Sequence, residues 1–319
     1  MKSHVIIIAI LGIFTLNLKA QNLSISNGTL KFSSLKVYEQ YAENSLDQSE
    51  IVKVTSTIST LANQEPDLGG EDAEDIEPAD SLYPDFLKQI LNTDKIVTIG
   101  NYLVKIDLDN HIGLVITADD PSAYKILLSD DTTARGVIVF SDEDDDAMDV
   151  LEAIDTGTMA IADYQAETSL RSRRAKRHKD ATFQYWMQFA NNRCPDKEYC
   201  FKGEDKLVYQ KAIFYFSIQA KRKSQKECCF DPRVTHNPQR HFVNLKIEGT
   251  AKFRKRCRDE QNILYNNEVF NDHKITWRPY SSSRGLSHYD VTVRFFSQEP
   301  SAIPNPYVPS REYHIIDGY

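Results

Sequence analysis

The chain has 319 residues, 41% hydrophobic and 26% charged, a composition that excludes disorder over its whole length. The net charge of −8 hides an acidic half and a basic half. Residues 21–166 carry 29 Asp and Glu against 8 Lys and Arg, whereas residues 167–319 carry 17 against 28. Such asymmetry is typical of two parts that attract each other, or of a basic part with an acidic partner. Two solvated surfaces of opposite bias are the preferred interpretation, because acidic linkers supply much of the negative excess.

The N-terminus has the pattern of a secretory signal peptide. Lys2 supplies the positive charge, and the apolar run over 5–16 is too short to span a bilayer, which takes about 20 residues. Leu18 and Ala20 occupy the −3 and −1 positions of a cleavage site before Gln21. We therefore predict an exported protein, located in the periplasm, at the cell surface or outside the cell. The mature chain is expected to have no transmembrane anchor.

Shifts in composition divide the rest of the chain. Residues 64–80 are acidic with two Gly and two Pro, and residues 168–180 are basic; both have little to bury and predict linkers. The predicted divisions are a signal peptide over 1–20, a helical segment over 21–63, an acidic linker over 64–80, an α+β domain over 81–167, a basic linker over 168–180, a β-sandwich domain over 181–300 and a tail over 301–319.

The acidic half predicts helices and short strands separated by turns. A short strand ends at Phe32, and Ser34 is a residue type that caps the N-terminus of a helix. Apolar residues at helical spacing predict helices from Leu35, over 49–61, over 83–91 and within 148–166. Short apolar runs predict strands over 96–99, 102–108, 112–116, 124–128 and 137–140. Their connections are too short for parallel crossovers, which predicts an antiparallel meander.

The basic half predicts strands throughout. Apolar residues alternate with polar ones around Val243, Leu245 and Ile247, and again over 289–295. Short alternating strands with turns between them predict a sandwich, and four prolines over 300–319 predict a surface tail. The predicted fold class is therefore α+β, with an N-terminal unit of helix plus antiparallel meander and a C-terminal antiparallel β-sandwich.

All five cysteines lie in the basic half, and their odd number leaves at least one outside an intrachain disulfide. Export would place them where disulfides persist. Cys194 and Cys200 are one candidate pair, because turn-favouring residues separate them. Cys257 with either Cys228 or Cys229 is the other. Only one of two adjacent cysteines can readily reach Cys257, which predicts one free thiol at 228 or 229.

No sequence motif indicates a catalytic residue, a metal site or a cofactor. The acidic run over 142–146 fails as an EF-hand loop, because Ala147 stands where the turn needs glycine and Ala153 where a bidentate carboxylate is needed. Cysteines and histidines over 228–241 do not form a convincing zinc set, since exported cysteines favour disulfides. The basic run over 171–179 has no interleaved aromatic residues, so nucleic acid is not an expected partner.

Aromatic residues of the basic half are candidates for a sugar platform, with packing in a protein core as the alternative. They are Tyr185, Trp186, Trp277 and Tyr280. Core packing is the preferred interpretation for Trp277, which lies in an alternating strand pattern.

Three segments of the chain resemble uncharacterised exported proteins from bacteria of the Bacteroides group. They are Pro84-Asp85-Phe86-Leu87 to Leu91-Asn92, the run over 96–106 and, as a weaker echo, the run over 216–224. The resemblance implies a compartment and an architecture, and no activity. Exported proteins of that group are O-glycosylated at Asp-Ser or Asp-Thr followed by an apolar residue or Thr, which makes Ser81 and Thr132 candidate modification sites.

These observations favour a non-enzymatic binding or surface-associated protein, with protein and glycan as the candidate partners. The alternative is a carbohydrate-active enzyme that hydrolyses glycans with a carboxylate-based site. An enzyme should show a deep cleft where at least two carboxylates converge beside aromatic residues, whereas a binding module should show a flat or groove-like patch. No cofactor is expected in either case.

Overall fold

The computed structural model of the chain describes residues 22–64, 83–141, 144–162, 164, 179–186, 199–228, 239–255, 258–298 and 308–317. The fold is α+β, with mixed sheets and few helices. The described residues up to 164, called here the N-terminal part, contain every described helix. The described residues from 179 onward, called the C-terminal part, contain strands and their connections.

Six strands of the N-terminal part form one mixed sheet in the order β1-β2-β3-β4-β5-β6. They are β1 Leu23–Ser26, β2 Thr29–Phe32, β3 Ile96–Ile99, β4 Tyr102–Asp107, β5 Ile112–Thr117 and β6 Ile138–Ser141. The last four are antiparallel to their chain neighbours, whereas β2 and β3 are parallel. The first hairpin therefore belongs to the same sheet as the strands that follow the acidic stretch.

Helices cover both faces of this sheet. They are α1 Leu35–Ala42, α2 Ser49–Thr55, α3 Asp85–Ile90, α4 Ala123–Leu128 and α5 Ala147–Asp155. Successive residues of a strand point to opposite faces, so Val97 joins the large buried cluster with α1, α3 and α5, whereas Ile96 joins a smaller cluster with α4. Among the described helices, none is long and apolar enough to cross a bilayer.

Local signals set most of these helix boundaries, and one prediction was wrong. Helix α1 begins as the sequence predicts, since Ser34 Oγ accepts a hydrogen bond from the Val37 amide at 3.2 Å. Helix α2 ends at Thr55, short of the predicted residue 61. The predicted strand over 124–128 is helix α4 instead, because Asp120 Oδ1 accepts the Ser122 amide at 2.8 Å and starts a helical turn.

Two antiparallel sheets make up the C-terminal part. The first contains β7 Lys179–Trp186, β8 Tyr199–Lys211, β9 Phe216–Cys228, β10 Gln239–Arg240 and β13 Lys274–Ser282. The second has the order β12-β11-β14-β15 and contains β11 Val243–Lys255, β12 Gln261–Asp272, β14 Leu286–Gln298 and β15 Val308–Asp317. Residues 308–317, assigned to a tail by their prolines, instead pair with β14 at the edge of the second sheet.

Apolar residues of both sheets share one buried cluster. Ile218 on β9, Ile247 on β11 and Val293 on β14 are fully buried in it. Gly249 makes room for Trp277, because a Cβ at position 249 would lie 2.4 Å from the indole ring. Trp277 also stacks on Tyr265 with ring centroids 4.8 Å apart, so it is a core residue and not an exposed sugar platform.

Candidate functional site

The turn over 212–215, which joins β8 and β9, leaves its own sheet and enters the core of the N-terminal part. All four of its residues belong to the large N-terminal cluster rather than to the cluster of their own sheets. The turn is tight, with the Ala212 amide donating to the Tyr215 carbonyl at 2.9 Å. Ile213 adopts a φ of 63°, an unfavourable backbone conformation for a β-branched residue. We call this element the apolar turn.

Aromatic contacts hold the apolar turn in place. Tyr215 stacks on Phe86 of α3 at 4.8 Å between ring centroids, and Phe214 meets the edge of Phe140 at 5.3 Å. The Tyr38 hydroxyl donates a hydrogen bond of 2.9 Å to the Phe214 carbonyl, which satisfies a buried polar group. Burial raises the pKa of Tyr38 well above its ordinary value, and the nearby Tyr215 raises it further.

Gly113 on β5 leaves the space that Ile213 fills. A Cβ at position 113 would lie 3.1 Å from both the Cδ1 and the Cγ2 methyl groups of Ile213. The glycine is therefore required by close packing, since its backbone conformation is an ordinary strand one.

A second connection, the turn over 281–285 between β13 and β14, meets the same N-terminal part through charge. Arg284 Nε and Nη2 donate to Glu39 Oε1 of α1 at 2.8 and 2.7 Å. The same guanidinium binds Glu152 at 2.7 Å and contacts Asp149, both on α5. One arginine thus links three carboxylates from two helices. We call this element the charged turn.

Further polar contacts surround the charged turn. The Ser281 hydroxyl donates to the Ala42 carbonyl at the end of α1, and Lys255 of β11 forms an ion pair with Glu43. Lys211 pairs with Asp145 at 2.7 Å, and the side chain of this lysine is almost fully buried. Polar and apolar contacts therefore fix the same two parts of the chain against each other.

The junction cleft lies beside the charged turn, between α1, α5 and β11, and has a volume of about 840 Å³. Its walls carry six carboxylates and four basic side chains, with Leu35 and Met148 as the apolar members. Four of the carboxylates pair with Arg284 or Lys255, and Asp145 pairs with Lys211. The lining contains no aromatic residue. This cleft thus has the carboxylates expected of a glycosidase, without the aromatic residues and with its acids held by cations.

A charged pair also lies inside the C-terminal part. Asp205 on β8 stands directly opposite Arg222 on β9, with Oδ1 and Nε 3.6 Å apart and both side chains fully buried. The Tyr313 hydroxyl of β15 donates to Asp205 Oδ2 at 3.2 Å. Burial lowers the pKa of the Arg222 guanidinium to about 9, and Tyr313 opposes that shift. The three groups tie the two sheets together.

A groove crosses the solvent face of the second sheet, perpendicular to its strands. The pairing register places Leu264, Thr250 and Thr292 side by side on three neighbouring strands, and this row is the floor. Next to it runs a taller row formed by Asn266, Glu248, Arg294 and Glu312. We call this feature, which has a volume of about 520 Å³, the transverse groove. Four strands at a spacing of about 4.8 Å give it a length of about 14 Å.

The charges along the transverse groove are paired within the sheet. Arg294 donates to Glu312 Oε2 at 2.7 Å, and Lys246 binds Glu248 at 2.6 Å. Two threonine hydroxyls, the Asn266 amide and the exposed Leu264 side chain complete the surface. The groove therefore offers hydrogen-bond donors and acceptors with little net charge, on a rigid support of four strands.

Of the sequence-predicted site residues, only Thr132 has a described side chain. It is exposed in a turn where Asp131 Oδ1 accepts the Thr133 amide at 3.0 Å, and its glycosylation stays a prediction. Cys200 and Cys228 lie at the far end of the β8–β9 ladder, where Cys228 pairs with Tyr199. The residues outside the described ranges are Ala20, Gln21, Ser81, Cys194, Cys229 and Cys257. The disulfides and signal cleavage therefore stay predictions as well.

Sequence reasoning missed both the junction cleft and the transverse groove. The outer residues of β11 and β14 follow the alternating pattern that predicts strands, but the rows depend on a pairing register that the pattern does not contain. In the part of the chain that the structure describes, no three His, Cys, Asp or Glu side chains are grouped to hold a metal ion. No family model, characterised protein or solved structure matches this chain.

Proposed function

We propose that this chain is an exported, non-enzymatic binding protein that holds a glycan in the transverse groove. The observation that carries the proposal is the groove itself, a row of small residues flanked by a taller polar row on the solvent face of a long-stranded sheet. In this proposal the two C-terminal sheets form a β-sandwich that presents the groove, and the N-terminal part supports the opposite end through the apolar turn.

The side chains of the groove favour a neutral, hydroxyl-rich ligand. Carboxylates and amides accept and donate hydrogen bonds to sugar hydroxyls, and Leu264 supplies apolar contact area. Because Glu248 and Glu312 already pair with cations, a charged polymer gains little from the groove. A length of about 14 Å suits a short stretch of an extended polymer rather than a small buried ligand.

Binding to neutral polysaccharides in native gels tests this proposal. We expect the protein to be retarded in gels that contain at least one of β-glucan, xylan, mannan or starch. The double variant Glu248→Gln with Asn266→Ala should abolish that retardation, because it removes acceptors from the taller row. Lys252→Ala is the matched control, since Lys252 is exposed on the same face of β11 but does not line the groove.

Three outcomes would contradict the proposal. Unaltered retardation of the double variant would remove the groove as the site. Equal migration in all four polymers would remove neutral glycan as the ligand. Release of reducing ends from any of the polymers would favour the alternative, glycan hydrolysis, for which the junction cleft supplies the converging carboxylates.

A further inference from the structure

Strand β12 is an exposed edge of the second sheet. Among the described residues it pairs with β11 alone, so one row of its backbone N–H and C=O groups faces outward. Leu264 is 84% exposed and Phe270 is 69% exposed. The twelve residues of the strand include no Lys, Arg or Pro. An edge of this length and composition is a template for pairing with another strand.

A bulge limits how far such pairing can extend. The register with β11 shifts between the Leu245–Val269 pair and the Val243–Asp272 pair, and Asn271 has a φ of 51°. The regular part of the edge therefore runs from Gln261 to Val269. This segment is independent of the glycan proposal, because its pairing groups belong to the backbone.

The sequence of β12 is self-complementary about Asn267. In an antiparallel pair of two β12 strands centred on Asn267, Leu264 of one copy lies opposite Phe270 of the other, on the solvent face. Tyr265 then lies opposite Val269 on the core side, and Glu268 lies opposite Asn266. Apolar residues meet apolar ones on both faces, and the negative charge of Glu268 meets a neutral amide.

Neighbouring registers lose these matches. Only shifts that move the centre by whole residues keep the solvent faces of both copies on one side. A centre at Asn266 places Leu264 opposite Glu268, and a centre at Glu268 places two glutamates opposite each other. The pairing is also prepared in advance, because Tyr265 is already fixed by stacking on Trp277.

We infer that β12 is the dimer interface of this protein, at which two copies pair antiparallel about a two-fold axis through Asn267. The contact is isologous, so each β12 edge is used once and the assembly closes as a dimer. The two four-stranded sheets become one continuous sheet of eight strands. The transverse grooves of the two copies then lie on the same face of that sheet.

Sedimentation equilibrium from about 1 μM to about 1 mM tests the dimer. We expect reversible dimerisation of the wild type. Replacing both Leu264 and Phe270 with lysine should raise the dissociation constant at least about tenfold, because it places like charges across the interface. Val52→Lys is the matched control, since Val52 is 56% exposed on α2 and should dimerise as the wild type does.

A cysteine cross-link tests the register. Asn267→Cys places two thiols on the two-fold axis, where opposed Cα atoms about 4.5–5.5 Å apart satisfy the geometry of a disulfide. Mild oxidation should yield a peptide linked to itself through position 267. Asn262→Cys is the control, because its two copies would lie about 33 Å apart and should not link.

A wild type that stays monomeric across this concentration range would overturn the inference. So would a dimer that survives the double lysine variant, since it would use another surface. If the lysine variant fails to fold, the cross-link decides: a peptide linked through 267 supports the interface, and its absence, or an equal yield from the 262 variant, overturns it.

Discussion

The apolar turn and the charged turn connect the same two parts of the chain by different physical means. The apolar turn buries three large side chains, Ile213, Phe214 and Tyr215, in a core that belongs to distant sequence. The charged turn places Arg284 among three partly exposed carboxylates. Burial of apolar area is non-directional and large, whereas ion pairs near water are directional and small. The first turn should thus set the stability of the junction, and the second its orientation.

Phe214→Ala should break the comparison most severely. The side chain is fully buried against Phe140, and its loss leaves a cavity in the N-terminal core. We expect the free energy of unfolding to fall by about 3–5 kcal/mol. Urea denaturation followed by fluorescence measures it, with Phe242→Ala as the control because Phe242 is 47% exposed. A loss below that of the control would show that the turn is not a core element.

Gly113→Val should give the next largest effect. The added methyl groups meet Ile213, and overpacking of this kind costs about 1–3 kcal/mol. Combining it with Ile213→Gly should be less destabilising than the sum of the two changes, because the glycine frees the space and accepts the positive φ. Strict additivity in a double-mutant cycle would mean that the two positions do not share a packing site.

Arg284→Met should have a smaller effect that depends on salt. Removing the guanidinium leaves Glu39, Asp149 and Glu152 facing one another, and we expect a loss of about 1–2 kcal/mol at low ionic strength. About 1 M salt should remove much of the loss by screening. Arg294→Met, which breaks one exposed pair with Glu312, is the control and should change stability less. A loss that is equal at both salt concentrations would argue against an electrostatic role.

The smallest effect is expected for Tyr38→Phe, which removes one buried hydrogen bond worth about 1 kcal/mol. Its pH dependence is more informative than its size. The pKa of Tyr38 is raised in the folded protein, so its contribution is complete below about pH 10 and is lost at higher pH, where the unfolded chain ionises. The variant should therefore lose less stability than the wild type between pH 10 and pH 11, measured by denaturant midpoints. Parallel pH curves would show that Tyr38 does not titrate on unfolding.

Local patterns predicted the elements whose cause is local. Ser34 caps α1 because a serine oxygen reaches the amide three residues later, and Val243, Leu245 and Ile247 alternate because one face of β11 is buried. Helix α4 was missed although Asp120 and Ser122 carry a start signal, because a short apolar run fits a strand equally well. The Asp-Pro-Ser sequence before it was the signal to use.

Contacts between distant residues could not be predicted in this way. Nothing in the apolar run around Phe214 distinguishes a turn that stays with its own sheet from one that enters another core. The parallel pairing of β2 with β3 and the rows of the transverse groove depend on register, which an alternating pattern leaves open. The candidate site therefore came from the structure, whereas the fold class came from the sequence.

The apolar turn also has a consequence for the order of events during biosynthesis. The N-terminal core contains Phe140 and also Tyr215, so it cannot close when the ribosome has completed β6. At about 5–20 residues per second, the intervening chain takes about 4–15 s to appear. During that interval the nascent chain exposes an apolar cleft between α1, α3 and α5 that a much later hairpin will fill. Holding factors that bind unfinished cores have their natural target there, and mutations in the hairpin would prolong that exposure without touching the segment that is exposed.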